Sequence, residues 1–405
     1  MTRTLILFIF PLILIACSKN DSGSQQQPPP QYPSITGITP DSGTSGIDVT
    51  ISGANFSATS ANDIVKFNGL SAVVKSATAT SIVATSPAGV TTGKVTVTVN
   101  GSTASSPADF VVLTGSWVRK ADYGGNARGN ARGFSIGGKA YIVGGYSANG
   151  WEADFWEYDT ASNQWTRKAN FPALGRERGV GFAIGNKGYF GLGYNTTEQE
   201  HNDFWEYDPA LDQWTKKADF PGAPREEAIG FGFSDAGFVG AGTFVPFTTK
   251  FTDMWKYDPA TNTWTAAGNY PGNAYWEVST TATSDKGYVF FGSTLAGSTK
   301  EGWLFDPSTY VWASISNVPA SPRSGAIAFT VGQKIYVGFG YDASISFSFA
   351  DLWEMDAATA QWQRKADFPG PPRGNLVPFS IGNHGYIGTG YAEGGSVKDF
   401  WQFTP

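Results

Sequence analysis

Aromatic and apolar residues recur with a fixed period from residue 116 to the end of the chain. Each unit contains four short apolar stretches separated by turn residues, in the second unit GVGFAIG, GYFGLGY, DFWEYD and QWTKK. Four short strands per unit predict one blade of a β-propeller, and six units predict a six-bladed ring, because one blade cannot bury both of its faces. The two sets of tryptophans that repeat every 48–50 residues are Trp117, Trp165, Trp214, Trp264, Trp312 and Trp362, and Trp156, Trp205, Trp255, Trp303, Trp353 and Trp401.

The two ends of this region predict how the ring closes. It begins at Trp117, which has a fourth-strand position, and it stops at Phe403, just before a fourth strand would begin. The strand around Trp117 is therefore expected to complete the sixth blade. That closure removes the open sheet edges that a linear array of blades would expose.

A different pattern covers residues 33–113. Runs such as DVTISGANF, IVKFNG and KVTVTVNG alternate β-branched with polar residues and end in turn formers, which predicts a β-sandwich. The stretch PSITGITP, followed by Gly43, Gly46 and VTISGANF, resembles the IPT/TIG immunoglobulin-like family. The resemblance implies a sandwich without the immunoglobulin cysteine pair. We interpret this domain as a spacer, with a binding role of its own as the alternative.

The N-terminus resembles a secretion signal. The apolar run LILFIFPLILIA within residues 1–16 is too short for a membrane-spanning helix, and it closes as LIAC at Cys17. This ending is similar to the lipobox of bacterial lipoproteins, which implies cleavage before Cys17 and lipid on its sulfur; an ordinary signal peptide with a chance cysteine is the alternative. Residues 17–32 predict a lipidated, disordered tether. Lys19 and Asp21 resemble the surface-export signal of Bacteroidetes lipoproteins, so we expect an outer-membrane protein displayed at the cell surface.

The composition excludes several kinds of metal site, a disulfide framework and a nucleic-acid partner. The chain has 405 residues, one cysteine, two histidines and a formal net charge of −6. One cysteine excludes a disulfide framework and a multi-cysteine metal site, and two histidines exclude a three-histidine zinc site. A net negative chain without a Lys/Arg run has no footprint for nucleic acid. We therefore predict no cofactor, no metal and no nucleic-acid partner.

The repeats resemble kelch repeats across residues 116–405, through their Gly-Gly, Tyr and Trp positions. Only the first unit keeps both glycines, Gly144 and Gly145. We interpret the periodic tryptophans as packing between blades rather than as ligand contacts. The other units keep the second glycine alone, at Gly193, Gly242, Gly292, Gly340 and Gly390.

An arginine precedes the innermost strand in five of the six units. In kelch propellers this connection and the loops between the second and third strands line one face around the channel, so the guanidiniums could bind a carboxylate or sulfate. The alternative is one structural salt bridge per blade, with the acid that opens the third strand. This arginine column consists of Arg128, Arg176, Arg225, Tyr275, Arg323 and Arg373, and the facing acids are Asp154, Asp203, Asp253, Glu301, Asp351 and Asp399.

Two tryptophans, Trp151 and Trp276, lie outside the repeat, in loops of the same predicted face and in opposite blades. Such aromatic residues stack on sugar rings or anchor a protein, unless they pack beneath the loops. Nearby carboxylates could orient hydroxyls or serve as general acid or base. The aromatic candidates also include Phe247, Phe347 and Phe349, and the carboxylates are Glu177, Glu226, Glu227 and Glu277.

The kelch superfamily, which the repeats resemble, also includes enzymes. Copper oxidases of the galactose-oxidase type need two histidines and a Tyr–Cys crosslink, and here Cys17 is committed to lipid while His201 and His384 lie in different settings. That chemistry is excluded. Sialic-acid mutarotases are six-bladed kelch proteins with arginine and carboxylates in the pocket; candidates for those roles are Arg176, Arg225, Glu226 and Glu227.

The sequence thus predicts an envelope-anchored binding or assembly module whose propeller face recognises an anionic or glycan-like ligand or a protein partner. The alternative is a mutarotase-like isomerase that acts on an acidic sugar at the channel mouth. A carboxyl group near the pocket with a raised pKa would favour the enzyme.

Overall fold

A computed structural model describes residues 31–195, 199–244, 249–342, 344 and 347–405. The lipobox, Cys17 and Phe247 lie outside these residues, as does the side chain of Phe347. The described chain folds into a β-sandwich followed by a six-bladed β-propeller, which confirms the predicted fold class. Apart from the 3-10 turn Ser60–Asn62, its regular elements are strands. No helix among the described residues is long and apolar enough to cross a membrane.

The sandwich consists of two sheets whose alternate residues face each other. Val49, Ile51 and Phe67 are fully buried between the sheets, and the ring of Phe67 meets that of Phe110 edge to face at 5.1 Å. This is the core that the period-two pattern predicts. The first sheet has, in spatial order, Ser34–Thr39, Asp48–Ala54, Ser81–Thr85 and Val73–Ala77. The second has Ser42–Gly43, Ser102–Val112, Gly93–Val99, Asp63–Phe67 and Leu70–Ser71.

Each blade of the propeller is a four-stranded antiparallel sheet. Blades 1 to 3 contain, from the inner to the outer strand, Arg132–Ile136, Lys139–Val143, Phe155–Asp159 and Gln164–Lys168; Val180–Ile184, Lys187–Gly191, Phe204–Asp208 and Gln213–Lys216; and Ile229–Gly232, Gly237–Gly240, Asp253–Asp258 and Thr263–Asn269. Blades 4 to 6 contain Ser279–Ala282, Gly287–Phe290, Gly302–Asp306 and Val311–Ile315; Ile327–Val331, Lys334–Gly338, Leu352–Asp356 and Trp362–Lys365; and Val377–Ile381, His384–Gly388, Phe400–Thr404 and Ser116–Arg119.

Short paired segments cover one face of the ring. They join the connection before each inner strand to the loop between the second and third strands of the same blade, as in the pairing of Gly129 with Tyr146. We call this side the hairpin face. Its short strands are Arg128–Gly129, Tyr146–Ser147, Gly150–Trp151, Tyr194–Asn195, Gln199–Glu200, Ser293–Thr294, Gly297–Ser298, Tyr341–Asp342, Phe347–Ser348, Arg373–Gly374, Tyr391–Ala392 and Gly395–Ser396.

The ring closes through the N-terminal strand, as predicted. Ser116–Arg119 pairs antiparallel with Phe400–Thr404, and Trp117 lies opposite Phe403. The Trp117 ring packs at 4.9 Å from the ring of Phe403 and at 5.3 Å from that of Phe368. The sixth blade is therefore built from both ends of the propeller region.

The periodic tryptophans pack between blades, which confirms their structural interpretation. Trp214 of blade 2 packs against Phe155 and Phe171 of blade 1, with ring centres 4.9 and 5.5 Å apart. Its indole N–H donates to the Ala169 carbonyl at 3.0 Å. Each blade thus buries its aromatic face only by contact with the next one.

Glycines let the blades converge toward the axis. A Cβ on Gly188 would lie 2.1 Å from the Phe134 side chain of the preceding blade, and one on Gly230 would lie 2.1 Å from the Val180 side chain. Any larger residue at these two positions would push neighbouring blades apart. The inner strands therefore surround a narrow channel of about 340 Å³.

Candidate functional site

The five arginines of the arginine column are buried and paired. Each has a relative exposure of 0–1% and contacts the facing aspartate through two nitrogens. The distance from Nη2 to the second carboxylate oxygen is 2.8–3.2 Å in every pair. The pairs are Arg128 with Asp154, Arg176 with Asp203, Arg225 with Asp253, Arg323 with Asp351 and Arg373 with Asp399.

Each of these guanidiniums donates two further hydrogen bonds to backbone carbonyls. In blade 2, Nε of Arg176 donates to the Leu174 carbonyl and Nη1 to that of Leu192, while the Trp205 indole donates to Asp203. Burial raises the pKa of Asp203, but the hydrogen bond and charge of Arg176 outweigh burial and lower it below its ordinary value. The arginine column is therefore a structural device. The expectation that Arg128, Arg176, Arg225, Arg323 and Arg373 bind a ligand is corrected: their guanidiniums are enclosed.

Blade 4 has no arginine–aspartate pair at this position and fixes the connection with a different interaction. Tyr275 stands where the other blades have arginine, and the longer Glu301 accepts the backbone N–H groups of Asn273 and Ala274 at 2.7 and 2.8 Å. The Trp303 indole N–H is left without an acceptor among the described residues. A carboxylate bonded to two backbone N–H groups takes over the task of fixing the connection before the inner strand.

A ring of left-handed residues lies two positions after the arginine column. Their φ angles are 51–59°, a region that costs a residue other than glycine about 1–2 kcal/mol and that asparagine tolerates best. Their backbones join successive blades: the N–H of Arg178 donates to the Asn130 carbonyl at 3.0 Å, and that of Asn375 to the Gly325 carbonyl at 2.8 Å. This mouth ring consists of Asn130, Arg178, Glu227, Glu277, Gly325 and Asn375.

Blades 2 to 4 give the mouth ring a charged half. Nη1 of Arg178 donates to Glu226 at 3.3 Å, and its Nε lies 3.4 Å from a Glu227 oxygen. Nη2 of Arg132 donates to the other Glu227 oxygen at 3.1 Å. Burial raises the pKa of Glu226 to about 8 even though Arg178 opposes it, and burial also raises the pKa of Glu227.

The opposite side of the mouth is aromatic. Four tyrosines occupy the same position, at the start of the hairpins of blades 5, 6, 1 and 2. Glycine makes room for two of them: a Cβ on Gly129 would lie 2.2 Å from the Tyr391 ring, and one on Gly374 would lie 2.6 Å from the Tyr341 ring. This tyrosine arc consists of Tyr341, Tyr391, Tyr146 and Tyr194.

A depression of about 890 Å³ lies between the tyrosine arc and the mouth ring. Glu277 accepts hydrogen bonds from the Tyr341 hydroxyl and, at 3.3 Å, from the Asn375 amide. Asn130 donates to Glu177 at 2.7 Å. The lining includes Asn130, Tyr146, Glu177, Arg178, Glu277, Tyr341, Asn375, Tyr391 and Glu393. This is the candidate site.

The aromatic candidates that lie outside the repeat have different surroundings in the structure. Trp151 packs against Tyr146 and Tyr194 at ring distances of 4.9 and 6.1 Å, so it supports the tyrosine arc from behind. Trp276 packs edge to face on Tyr275 at 4.7 Å. Trp151, Tyr275 and Trp276 are not among the residues that line the depression, whereas Glu277 is.

Sequence reasoning missed Asn130, Arg178 and Asn375 of the mouth ring and the tyrosine arc. The available signal was the position two residues after the arginine column, which holds Arg or Glu in blades 2 to 4 and Asn or Gly in blades 5, 6 and 1. No group of three or more potential metal ligands occurs in the part of the chain that the structure describes.

Comparison with known proteins agrees with this architecture. Residues 33–112 match the model of the IPT/TIG domain, and residues 127–172 match the kelch motif. The kelch match covers the unit that keeps Gly144 and Gly145. A solved structure of YjhT superposes with a TM-score of 0.61 at 17% sequence identity, covering 70% of this chain and 97% of that one. No curated protein matches the chain significantly.

Removing the arginine–aspartate pair and removing the Glu301 contact of blade 4 should lower the free energy of unfolding by different amounts. Asp203→Ala leaves the Arg176 guanidinium buried without its partner and should cost about 3–5 kcal/mol. Glu301→Ala removes only hydrogen bonds from uncharged N–H groups and should cost about 1–3 kcal/mol. Urea unfolding of both variants at pH 7 measures the difference, and equal losses would refute the assignment. Because the folded pKa of Asp203 is lowered, its contribution is present above the unfolded pKa and lost as the pH falls through the folded one. The gap between wild type and Asp203→Ala should therefore shrink in acid.

Proposed function

We propose that this chain, an IPT/TIG domain followed by a six-bladed kelch propeller, is an envelope-anchored glycan-binding protein that holds its ligand in the depression at the channel mouth. The observation that carries the proposal is that three tyrosines of the arc line one cavity with Asn130, Glu277 and Asn375; the three are Tyr146, Tyr341 and Tyr391. Saccharides present apolar C–H faces and polar hydroxyl edges. Aromatic rings suit the faces, and carboxylates and amides suit the edges.

The side chains of the site are held in place by neighbours. The Tyr341 hydroxyl and the Asn375 amide both donate to Glu277, and the Tyr391 hydroxyl donates to the Tyr146 carbonyl at 3.4 Å. A site whose rotamers are fixed in this way loses less side-chain entropy when a ligand binds. This supports recognition of a small, specific unit such as one or two sugar rings.

An anionic ligand loses its main support. The guanidiniums that suggested it are enclosed in salt bridges, and Arg178 at the mouth is shared between Glu226 and Glu227. The carboxylates of Glu177 and Glu277 line the same cavity and would repel an added negative charge. A protein partner remains the other class of ligand for this face.

The glycan proposal predicts a dependence on Tyr146, the tyrosine of the arc with 38% exposure. Tyr146→Ala should weaken binding about two- to tenfold, because one aromatic contact contributes about 0.5–1.5 kcal/mol. A glycan array on the full chain identifies a ligand, and calorimetry with wild type and variant measures the change.

Tyr32→Ala, at an exposed tyrosine of the sandwich end of the chain, is the matched control and should bind normally. Absence of any glycan ligand would overturn the proposal, and capture of a defined protein by the same face would replace it. A glycan that binds wild type and Tyr146→Ala equally would move the site elsewhere.

A second candidate function is isomerisation of a bound acidic sugar. It is favoured by Glu227, whose carboxyl group lines the channel and whose pKa is raised by burial. A general acid works near neutral pH only if its pKa is raised, and burial shifts the pKa of Glu227 in that direction. Arg132 and Arg178 both contact the same carboxyl group.

The isomerase candidate predicts catalysed exchange between anomers, measured by NMR line broadening or saturation transfer on the sugar that binds. Glu227→Gln should remove at least about 99% of the acceleration, since general acid–base catalysis contributes about 10²–10⁴-fold. Asp122→Asn, which removes an exposed carboxylate outside the site, should keep it. A bound sugar that exchanges no faster than in buffer would exclude this candidate and leave the binding proposal intact.

The anchoring part of the proposal depends on Cys17. Wild-type cells fed with labelled palmitate should yield labelled protein in the membrane fraction, whereas Cys17→Ala should give unlabelled, unprocessed or soluble protein. Surface display is tested by protease treatment of intact cells, with Lys19→Ala/Asp21→Ala expected to become protected. Label and membrane location that persist in Cys17→Ala would reject the lipid anchor.

A further inference from the structure

The candidate site offers more hydrogen-bond acceptors than donors. Asn130 is 3% exposed and lines the depression, and its Oδ1 atom has no hydrogen-bond partner among the described residues. Its amide nitrogen donates to the Glu177 carboxylate at 2.7 Å. Because a carboxylate only accepts, this bond fixes the amide orientation and leaves the oxygen unsatisfied. A buried acceptor without a donor costs about 1–3 kcal/mol, and a ligand that reaches this oxygen with a donor would recover that cost.

The charges of the site also favour a ligand that donates hydrogen bonds. Glu177 and Glu277 line the depression, and within the described parts of the chain neither forms a salt bridge. Both nevertheless act on Arg178: burial lowers the pKa of that guanidinium, and the surrounding carboxylates, with Glu226 and Glu227, outweigh burial and raise it. The mouth therefore carries more carboxylates than guanidiniums, and its cations already serve Glu226 and Glu227.

The tyrosine arc adds a third kind of acceptor. Aromatic faces carry negative charge density and attract cations within about 6 Å of the ring centre. Tyr391 lies near Glu177: burial first, and then the charge of Glu177, raise the pKa of its hydroxyl to about 12. Tyr341 donates its hydroxyl to Glu277. The tyrosine rings and the two carboxylates thus share one cavity.

We propose that the ligand carries a protonated amine, so that the glycan of the proposed function is an amino sugar with a free amino group. The inference rests on that proposed function. An ammonium group has three donors and no acceptor, and it matches the Asn130 oxygen and the carboxylates of Glu177 and Glu277. A hydroxyl brings one donor and no charge. An N-acetyl group brings a carbonyl acceptor into a site that already has too many, and a uronate is repelled.

Three trisaccharides of the same β1,4 linkage test this inference by calorimetry on the full chain at pH 6. They differ only at the 2-position: glucosamine (amine), N-acetylglucosamine (amide) and glucose (hydroxyl). The amine should bind about tenfold or more tightly than the other two, which corresponds to about 1.4 kcal/mol. Its advantage should vanish as the pH is raised above the pKa of the amine.

Two variants locate the effect. Glu277→Gln keeps the shape of the side chain and should lower the affinity for the amine trisaccharide about tenfold while changing that for the glucose trisaccharide less than twofold. Asn130→Gly keeps the left-handed backbone, removes the unsatisfied oxygen and should lower the amine preference several-fold. Asp122→Asn, at an exposed position paired with Arg119, makes the same change in net charge and should have no effect.

The outcomes separate the two proposals. Equal binding of the three trisaccharides, or tightest binding of a trigalacturonate, would overturn the inference and leave the glycan-binding function standing. Failure of all four probes together with an empty glycan array would reject the proposed function itself. Amine-selective binding that survives Glu277→Gln and Asn130→Gly would place the amine outside this depression and also overturn the inference.

Discussion

The buried arginine–aspartate pair is the interaction on which the rest of the hairpin face depends. Taking both charges out of water is expensive, and the pair repays that cost only through close two-point contact and saturation of the remaining donors. Arg176 makes this two-point contact with Asp203, and its two further bonds, to the Leu174 and Leu192 carbonyls, tie two loops of one blade together. The mouth ring begins two residues later, so its position follows from the pair.

The repeat determined how much of this molecule could be predicted. The tryptophan period gave the number of blades, and the positions of Trp117 and Phe403 gave the closure, because both follow from burial and from the need to pair sheet edges. The acid that faces Arg176 was also visible, since two oppositely charged columns share the same period. The lipid anchor at Cys17 stays a prediction.

The candidate site was harder to predict because it depends on departures from the repeat. Arg178 and Glu277 stand at a left-handed backbone position, which a single sequence does not reveal for residues other than glycine and asparagine. Tyr391 reaches the mouth only because Gly129 of the next blade has no side chain. Both positions recur with the repeat, but what stands there acts through contacts between neighbouring blades, which the sequence of one unit does not show.

The mouth ring has a mechanical consequence that follows from where the chain begins and ends within the propeller. The chain closes the ring at the seam between blades 6 and 1: Ser116–Arg119 completes blade 6, and the Asn130 and Gly390 N–H groups donate across the seam to the Asn375 and Arg128 carbonyls at 3.2 and 2.7 Å. The depression straddles this seam, with Tyr391 on one side and Tyr146 on the other. A molecule bound across this seam stabilises the closed ring, because its binding free energy adds to the free energy needed to open the ring. The fraction of protein with ligand bound and the fraction with a closed ring are then set by the same coupled equilibrium.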